Sequence, residues 1–280
     1  MGSCRSWFLG LTLVLPVFFL LSCSNEPAPP KPGTPPFYWA AARENFSKGD
    51  FLKASEHLER LTKSENEFAA RARPWQLVVV SGLAGGYLEI ADQFELGSQN
   101  NKTNPSPLRK QMGNYRSMAS RQALQFAEAF QQFQKAATEA EVTLDFSSPT
   151  GSSRLDPKLT TVSTGVMIPL GDLETAQLAT LQRGVLLAAC RAVGAPNDTA
   201  RLADVLKSPP AKLPRDTFVL AMAQTLYDIS AVYSRKKLDQ ADQQKMFFTM
   251  ALETVKKLPE TKQTKDLASK IEADLKKKRT

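Results

Sequence analysis

The amino-acid sequence predicts an all-α protein of stacked antiparallel helical hairpins, with one long loop or small β-hairpin inserted among them. From Phe37 onward, apolar residues recur at intervals of three and four, which is the spacing of one buried helix face. Glycine, proline and short polar stretches interrupt this pattern where helices are expected to end. Hydrophobic residues make up 42% of the chain and charged residues 23%, a composition typical of a folded domain.

The first 22 residues have the pattern of a cleaved secretory signal. A short basic opening, Met1 to Arg5, precedes an apolar run from Trp7 to Leu21. That run has 15 residues, whereas a helix that spans a bilayer needs roughly 20. It contains Pro16 and ends in small residues, which favours a signal peptide over a membrane-spanning anchor.

The segment Leu20-Leu21-Ser22-Cys23 closes the apolar run and resembles the lipobox of bacterial lipoproteins. The resemblance implies cleavage between Ser22 and Cys23, and attachment of a diacylglycerol to Cys23. Two or more acyl chains of the palmitate type hold a protein stably on a membrane, whereas one does not. Because Ser24 rather than Asp follows the cysteine, the resemblance further implies the periplasmic side of the outer membrane.

Residues 23–36 are expected to form a lipidated, proline-rich tether. Six of the thirteen residues from Ser24 to Pro36 are proline. Proline at this density favours the polyproline II conformation, which rises about 3.1 Å per residue. The tether can therefore hold the domain that follows, residues 37–280, up to roughly 40 Å from the bilayer.

Two helices are predicted directly after the tether, Phe37 to Lys48 and Asp50 to Ser64, with Asp50 as the N-cap of the second. Phe46, Ala54 and Leu58, with neighbouring small and apolar residues, make this pair similar to a tetratricopeptide repeat. Leu226 to Pro259 has a second such resemblance, with extra residues in its turn. The resemblance implies hairpins of about 34 residues stacked as an α-solenoid, or, given the departures, an irregular helical array.

The middle of the chain predicts further helices. Pro74 to Gly97 has helical spacing that is interrupted at Gly85-Gly86, which indicates a second helical hairpin. Gly82 belongs to the same glycine cluster, and inside a helical pattern this cluster favours close helix packing over a phosphate-binding loop. A polar loop, Ser98 to Gly113, is expected next. The helix after it, Tyr115 to Glu141, carries three phenylalanines on one face, which predicts a core position: Phe126, Phe130 and Phe133.

Residues 142–171 break the helical pattern. They contain nine Ser or Thr between positions 147 and 164, and two stretches of alternating polar and apolar residues. A long loop or small β-hairpin is expected, and insertions of this length tend to be functional or disordered. We therefore take the insertion as a candidate partner-binding surface, with a plain surface loop as the alternative. Its candidate binding residues are Phe146, Arg154, Thr161 and Val166.

Helices are again expected from Asp172 to the end of the chain, and the last of them, from about residue 261 to 280, is basic. The whole chain has a formal net charge of +8, and residues 255–280 hold nine Lys or Arg against four acids. A basic tail suggests nucleic acid, an anionic membrane or an acidic partner. Secretion argues against nucleic acid, and lysines at a helix C-terminus are also explained by the helix dipole.

Few residues are suited to catalysis. The single histidine, His57, has no carboxylate at the spacing of a helical metal site, and no Walker loop or dinucleotide-binding glycine motif is present. We expect neither a metal nor another cofactor. Cys190 ends an apolar run, which predicts a buried thiol rather than a reactive one.

The sequence thus favours a lipid-anchored, non-catalytic scaffold of the bacterial cell envelope that binds a protein or peptide partner through its helical surface. The alternative is a cell-wall-directed enzyme or ligand-binding lipoprotein that uses carboxylates in a helical cleft. Clustered acids with raised pKa values in a pocket are the observation that favours the alternative.

Overall fold

The computed structural model describes residues 30–136, 139–149 and 173–277, together with the backbone of residues 159–161 and 167–169. The predicted all-α class is confirmed, because helices dominate these residues and the strands form only two small two-stranded sheets. The helices are α1 (Pro35–Ser47), α2 (Phe51–Thr62), α3 (Ala69–Asn100), α4 (Ser106–Ala136), α5 (Leu173–Ala192), α6 (Thr199–Val205), α7 (Arg215–Ile229), α8 (Ala241–Lys256) and α9 (Lys262–Lys277). The strands are β1 (Glu141–Leu144), β2 (Leu159–Thr161), β3 (Met167–Pro169) and β4 (Ala211–Pro214).

The first hairpin, α1 and α2, forms as predicted. Gly49 has φ +76°, a conformation that favours glycine, and it reverses the chain between the two helices. The Asp50 side chain accepts a hydrogen bond from the Lys53 backbone N–H at 3.3 Å, so Asp50 is the N-cap of α2. Phe46, Ala54 and Leu58 are buried between the helices and the rest of the core.

The second predicted hairpin is wrong. Residues 69–100 form one continuous helix, α3, of 32 residues, and Gly85-Gly86 does not interrupt it. At 1.5 Å per residue, α3 is about 48 Å long. It pairs with α4, which has 31 residues and buries the three phenylalanines predicted for its core face. The connection between them, residues 101–105, is shorter than the predicted loop because both helices extend into it.

The glycines of α3 instead allow close packing against α5, as the cluster predicted. A Cβ atom built on Gly86 would lie 3.0 Å from the Leu181 Cα atom of α5. Gly184 of α5 faces Gly82 and Gly86 in the same way. The two helix backbones therefore touch here without intervening side chains.

The insertion is only partly the hairpin that the sequence predicted. β2 and β3 pair as an antiparallel hairpin, with Leu159 opposite Pro169. The preceding alternating stretch does not join that hairpin. It forms β1, which pairs antiparallel with β4, so that Leu144 lies opposite Ala211 at the start of β4. β4 leads directly into α7.

The C-terminal part consists of α7, a 3₁₀ turn (Ser230–Tyr233), α8 and α9. Three residues predicted for the buried face of α8 are buried: Phe247, Ala251 and Val255. The Tyr233 hydroxyl donates a hydrogen bond to the Ser120 carbonyl oxygen at 3.0 Å, which joins this part to α4. Because α3 and α4 are each nearly as long as a whole 34-residue repeat, the fold is an irregular helical array rather than a regular solenoid.

The buried side chains form one continuous hydrophobic core that includes residues from α1 through α9. Within the described part of the chain, no helix combines the length and the apolar character needed to cross a membrane.

Candidate binding groove

A groove with an apolar floor lies among the end of α5, the first half of α7 and the first half of α9. Its volume is about 590 Å³, within the roughly 300–1,000 Å³ that binding pockets commonly have. Half-buried and buried apolar side chains form its floor, and polar side chains surround it. The floor and ends include Pro196, Leu220, Ala221, Leu258, Pro259 and Leu267.

The groove exists because the start of α9 is fixed at a distance from α7. Pro259 follows α8 and changes the direction of the chain, and Thr261 then caps α9. The Thr264 backbone N–H donates to the Thr261 hydroxyl at 3.2 Å, and the Thr261 backbone N–H donates to the Thr264 hydroxyl at 2.8 Å. This reciprocal pair resembles a capping box and fixes the angle at which α9 begins.

The second half of α9 is fastened to α7 by a polar contact. The Tyr227 hydroxyl donates a hydrogen bond to Asp274 at 2.6 Å, and the Lys270 ammonium lies 4.9 Å from the centre of the Tyr227 ring. The hydrogen bond from Tyr227 lowers the pKa of Asp274. Burial, followed by the hydrogen bond to Asp274, raises the pKa of Tyr227. The two ends of the α9 wall are therefore held independently, and the groove between them is a fixed feature of the fold.

Charged side chains surround the groove, and two of them are acids that form no ion pair with the described residues. Arg191 is engaged by Asp228, at 3.0 Å, and by the Thr225 hydroxyl, at 3.1 Å. Asp216 on α7 and Asp266 on α9 are exposed and form no ion pair with the residues described. One unpaired acid thus stands on each wall of the groove, while the Lys270 ammonium at its end lies over the Tyr227 ring. This arrangement suits an apolar segment that also carries Lys or Arg.

A second depression, of about 430 Å³, lies among α2, α3 and α4. Charged and amide side chains line most of it, and the Arg73–Glu65 ion pair crosses its edge. A ligand that binds here must first break existing ion pairs, which costs free energy. This depression is therefore less suited to a ligand than the α7–α9 groove.

Of the four insertion residues predicted to bind a partner, Phe146 is the one whose side chain the structure describes. Phe146 is fully buried, with its ring stacked on Trp75 at a centroid distance of 4.5 Å. Its side chain is therefore part of the core and offers no surface to a partner, which corrects its proposed role. Thr161 ends β2, opposite Met167. Arg154 and Val166 lie outside the described residues, as do Ser22 and the expected lipidation site, Cys23.

Cys190 is buried, as predicted, and burial raises the pKa of its thiol to about 11. His57 lies beside the rings of Phe37 and Tyr38, and its Nδ1 atom has no hydrogen-bond partner. Burial lowers the pKa of His57. These environments match two packed side chains rather than a nucleophile and its base.

Two observations bear on carboxylate or metal chemistry. Among the described residues, no group of three or more His, Cys, Asp or Glu side chains is arranged to hold a metal ion. Hydrogen bonds from Lys48 and Lys256 lower the pKa values of Glu44 and Glu272. A carboxyl group that acts as a general acid needs the opposite shift.

The groove was not predictable from the sequence. Its walls come from three segments that are separated by up to 79 positions, from Arg191 to Lys270. The local signals were present, namely Pro259 and a threonine cap at the start of the last helix. They predict where α9 begins and say nothing about which helix lies opposite it.

Comparison of the chain with protein-family models, with curated proteins and with solved structures finds no match.

Proposed function

We propose that this chain is a lipid-anchored, non-catalytic scaffold of the bacterial cell envelope, which binds a segment of a partner protein in the α7–α9 groove. The observation that carries the proposal is the groove itself, an apolar floor held open at both ends by fixed contacts. A groove that is formed in advance lowers the entropic cost of binding. The lipobox-like sequence ending at Cys23 supports the envelope location, with the periplasmic side of the outer membrane as the proposed site.

The partner segment is expected to place apolar side chains on Leu220 and Leu267 and a basic side chain near Asp216 or Asp266. An amphipathic helix laid into a groove is a common form of such recognition. Its apolar residues supply most of the affinity, and the basic residue sets the orientation and the rate of association.

Photo-crosslinking from within the groove tests the proposal. A benzoylphenylalanine at Thr217, which is exposed on the α7 wall, is activated in native membranes of the producing bacterium. We expect a crosslinked protein of defined mass. Leu220→Asp places a charge on the groove floor and should reduce the crosslinked product about tenfold or more, since central apolar contacts dominate binding energy.

Leu252→Asp is the matched control. Leu252 is also half-buried, but it lies on α8 and outside the groove. Both variants should retain the helical circular dichroism spectrum, and only Leu220→Asp should lose the crosslink. If the product survives Leu220→Asp, or disappears equally with Leu252→Asp, the groove is not the binding site.

A further inference from the structure

One end of the α3–α4 hairpin carries a concentration of positive charge that is separate from the basic C-terminal helix. We call this surface the basic tip and define it by the end of α3, the connection 101–105, the first half of α4 (residues 106–121) and the turn 234–240. From Leu96 to Ala127 the sequence contains five basic residues and no acid. The exposed cations of the tip are Lys102, Arg109, Lys110, Arg121, Arg235 and Lys236.

Contacts across the tip bring its segments together. Arg116 of α4 is buried and pairs with Glu95 of α3 at 2.8 Å. The Arg116 guanidinium also donates to the Lys237 carbonyl oxygen at 3.3 Å, and Lys237 pairs with Asp92 at 2.5 Å. The turn that carries Arg235 and Lys236 is therefore fixed beside α3 and α4.

The same contacts pair the acids of α3 at this end, whereas Asp239 in the turn is exposed and forms no ion pair with the described residues. Asp92 and Glu95 are paired as described, and Glu89 pairs with Arg183 of α5. None of the six exposed cations of the tip forms an ion pair with any residue in the described ranges. Their charge is consequently available to an external anion.

Helix stability does not explain where these cations lie. Arg109 and Lys110 are the fourth and fifth residues of α4, near the positive end of the helix dipole, where a cation is unfavourable. Lys276 and Lys277 are in the last turn of α9, where the dipole favours them. The dipole thus explains the C-terminal lysines, whereas it disfavours Arg109 and Lys110 where they lie. Residues that oppose local stability commonly serve binding.

Exposed apolar side chains are interleaved with the cations. Leu96 is 46% exposed near the end of α3, and Met118 is 42% exposed on α4, one turn from Arg121. A surface that mixes Lys and Arg with isolated large apolar side chains is suited to the headgroup region of an anionic bilayer. A protein partner, by contrast, usually fills a pocket with its main contact residues, and neither the α7–α9 groove nor the second depression is lined by a residue of the tip.

The tip also lies at the far end of α3 from the tether. Trp39 of α1 stacks on Phe68 and under Arg71, so the start of the domain lies beside the start of α3. The tip is one α3 length away, about 48 Å. Because residues 31–34 form a turn and α1 begins at Pro35, the proposed tether after Cys23 has about seven residues and extends roughly 20 Å. A tether of this length allows the hairpin to lie along the bilayer, with a membrane contact at each end.

We propose that the basic tip docks on anionic phospholipid headgroups of the membrane to which Cys23 anchors the chain. The proposal rests on the lipid anchor of the proposed function for its source of lipid. Tethering keeps the bilayer within reach at high effective concentration, so a weak electrostatic contact is enough to orient the domain.

The test places an environment-sensitive NBD fluorophore on Ser117→Cys, an exposed position beside Met118. Cys190 is buried and does not compete for the label. The full chain, purified from membranes, is reconstituted into vesicles of phosphatidylcholine alone or with about 30% phosphatidylglycerol. We expect blue-shifted, stronger emission only with phosphatidylglycerol, and its loss in 1 M NaCl, where the screening length is about 3 Å.

Two double variants that remove the same amount of positive charge from different places identify which residues contact the membrane. Each cation near an anionic surface contributes roughly a fivefold factor, so Arg109→Gln with Lys110→Gln should lower the ratio of docked to undocked label about 30-fold. Lys276→Gln with Lys277→Gln removes the same charge from α9 and should change that ratio less than threefold.

Equal emission on both vesicles, or an equal loss in the α9 variant, overturns the proposal. A label that stays in water on anionic vesicles but is protected in native membranes also overturns it, in favour of an acidic protein surface. Mass spectrometry of the purified chain reports acylation of Cys23 separately. If Cys23 is unmodified, the anchor proposal fails, and sedimentation of the same variants with the two vesicles still decides the role of the tip.

Discussion

The contact between α3 and α5 makes a sharp prediction, because glycines on both helices let the two backbones touch. In Gly184→Ala, the new Cβ atom would lie 2.9 Å from the Gly86 nitrogen and 3.0 Å from the Gly86 Cα atom, and closer still to the Gly82 carbonyl oxygen. All three are backbone atoms, which cannot rotate away as a flexible side chain can. Carbon atoms pack at about 3.5–4.0 Å, so the helices must separate by roughly 0.5–1 Å.

A separation of that size has a calculable cost. It removes about a quarter to a half of the dispersion energy of the contacting atoms, and overpacking in a core costs about 1–3 kcal/mol. We take the upper value, about 3 kcal/mol, because the obstruction is backbone. Alanine regains about 1 kcal/mol over glycine in a helix. The expected net loss of unfolding free energy is about 2 kcal/mol, or about 4–8 °C in melting temperature for a domain of this size.

Gly85→Ala is the control, because it makes the same chemical change on α3 where a Cβ atom meets nothing within 4 Å. It should gain up to about 1 kcal/mol from helix propensity. Urea unfolding and thermal melts, both followed by circular dichroism at 222 nm, measure the two variants. Gly82→Ala combined with Gly184→Ala should lose less than the sum of the single losses, since one separation of the helices accommodates both methyl groups.

The contradicting result is that Gly184→Ala and Gly85→Ala shift stability in the same direction by similar amounts. That outcome means that α3 and α5 adjust freely, and that the shared glycines do not set their distance.

Two further predictions concern the anchor and the contact at the end of the groove. Cys23→Ser should release the protein from the membrane fraction into the soluble fraction in cell fractionation, and complete retention in the membrane contradicts the lipobox interpretation. Because the folded-state pKa of Asp274 is lowered, its hydrogen bond with Tyr227 contributes stability above the unfolded pKa of about 3.9 and loses it as the pH falls through the lower folded value. The stability difference between wild type and Asp274→Asn, measured by urea unfolding, should therefore shrink below about pH 4, and a constant difference contradicts this role.

Features set by neighbouring residues were predictable from the sequence. Asp50 caps α2, and Asp198 caps α6 by accepting a hydrogen bond from the Arg201 N–H at 2.8 Å. Both are read from a few residues, since capping is a local interaction. The helical face of α4, with its three phenylalanines, follows from local periodicity in the same way.

Features set by distant residues were not predictable. Gly85-Gly86 has the local signature of a helix end, yet packing of α3 against α4 and α5 outweighs the low helix propensity of glycine. β1 pairs with a strand about 70 positions later, which alternation alone does not reveal. The burial of Phe146 was not predictable for the same reason. Phe146 is a candidate binding residue by its position in the insertion, whereas its burial depends on contact with Trp75 of the distant helix α3.

The groove and the basic tip are built from different parts of the fold, and this bears on how the proposed functions combine. The groove is lined by the start of α7 and the start of α9, and none of its lining residues belongs to the tip. The tip includes the turn after α7, which Arg116 and Asp92 fix to α3 and α4. Docking of the tip on a membrane therefore engages none of the side chains that line the groove. Neutralising Arg109 and Lys110 should alter the orientation of the domain while leaving the groove crosslink from Thr217 in place, since the two sites share no side chain.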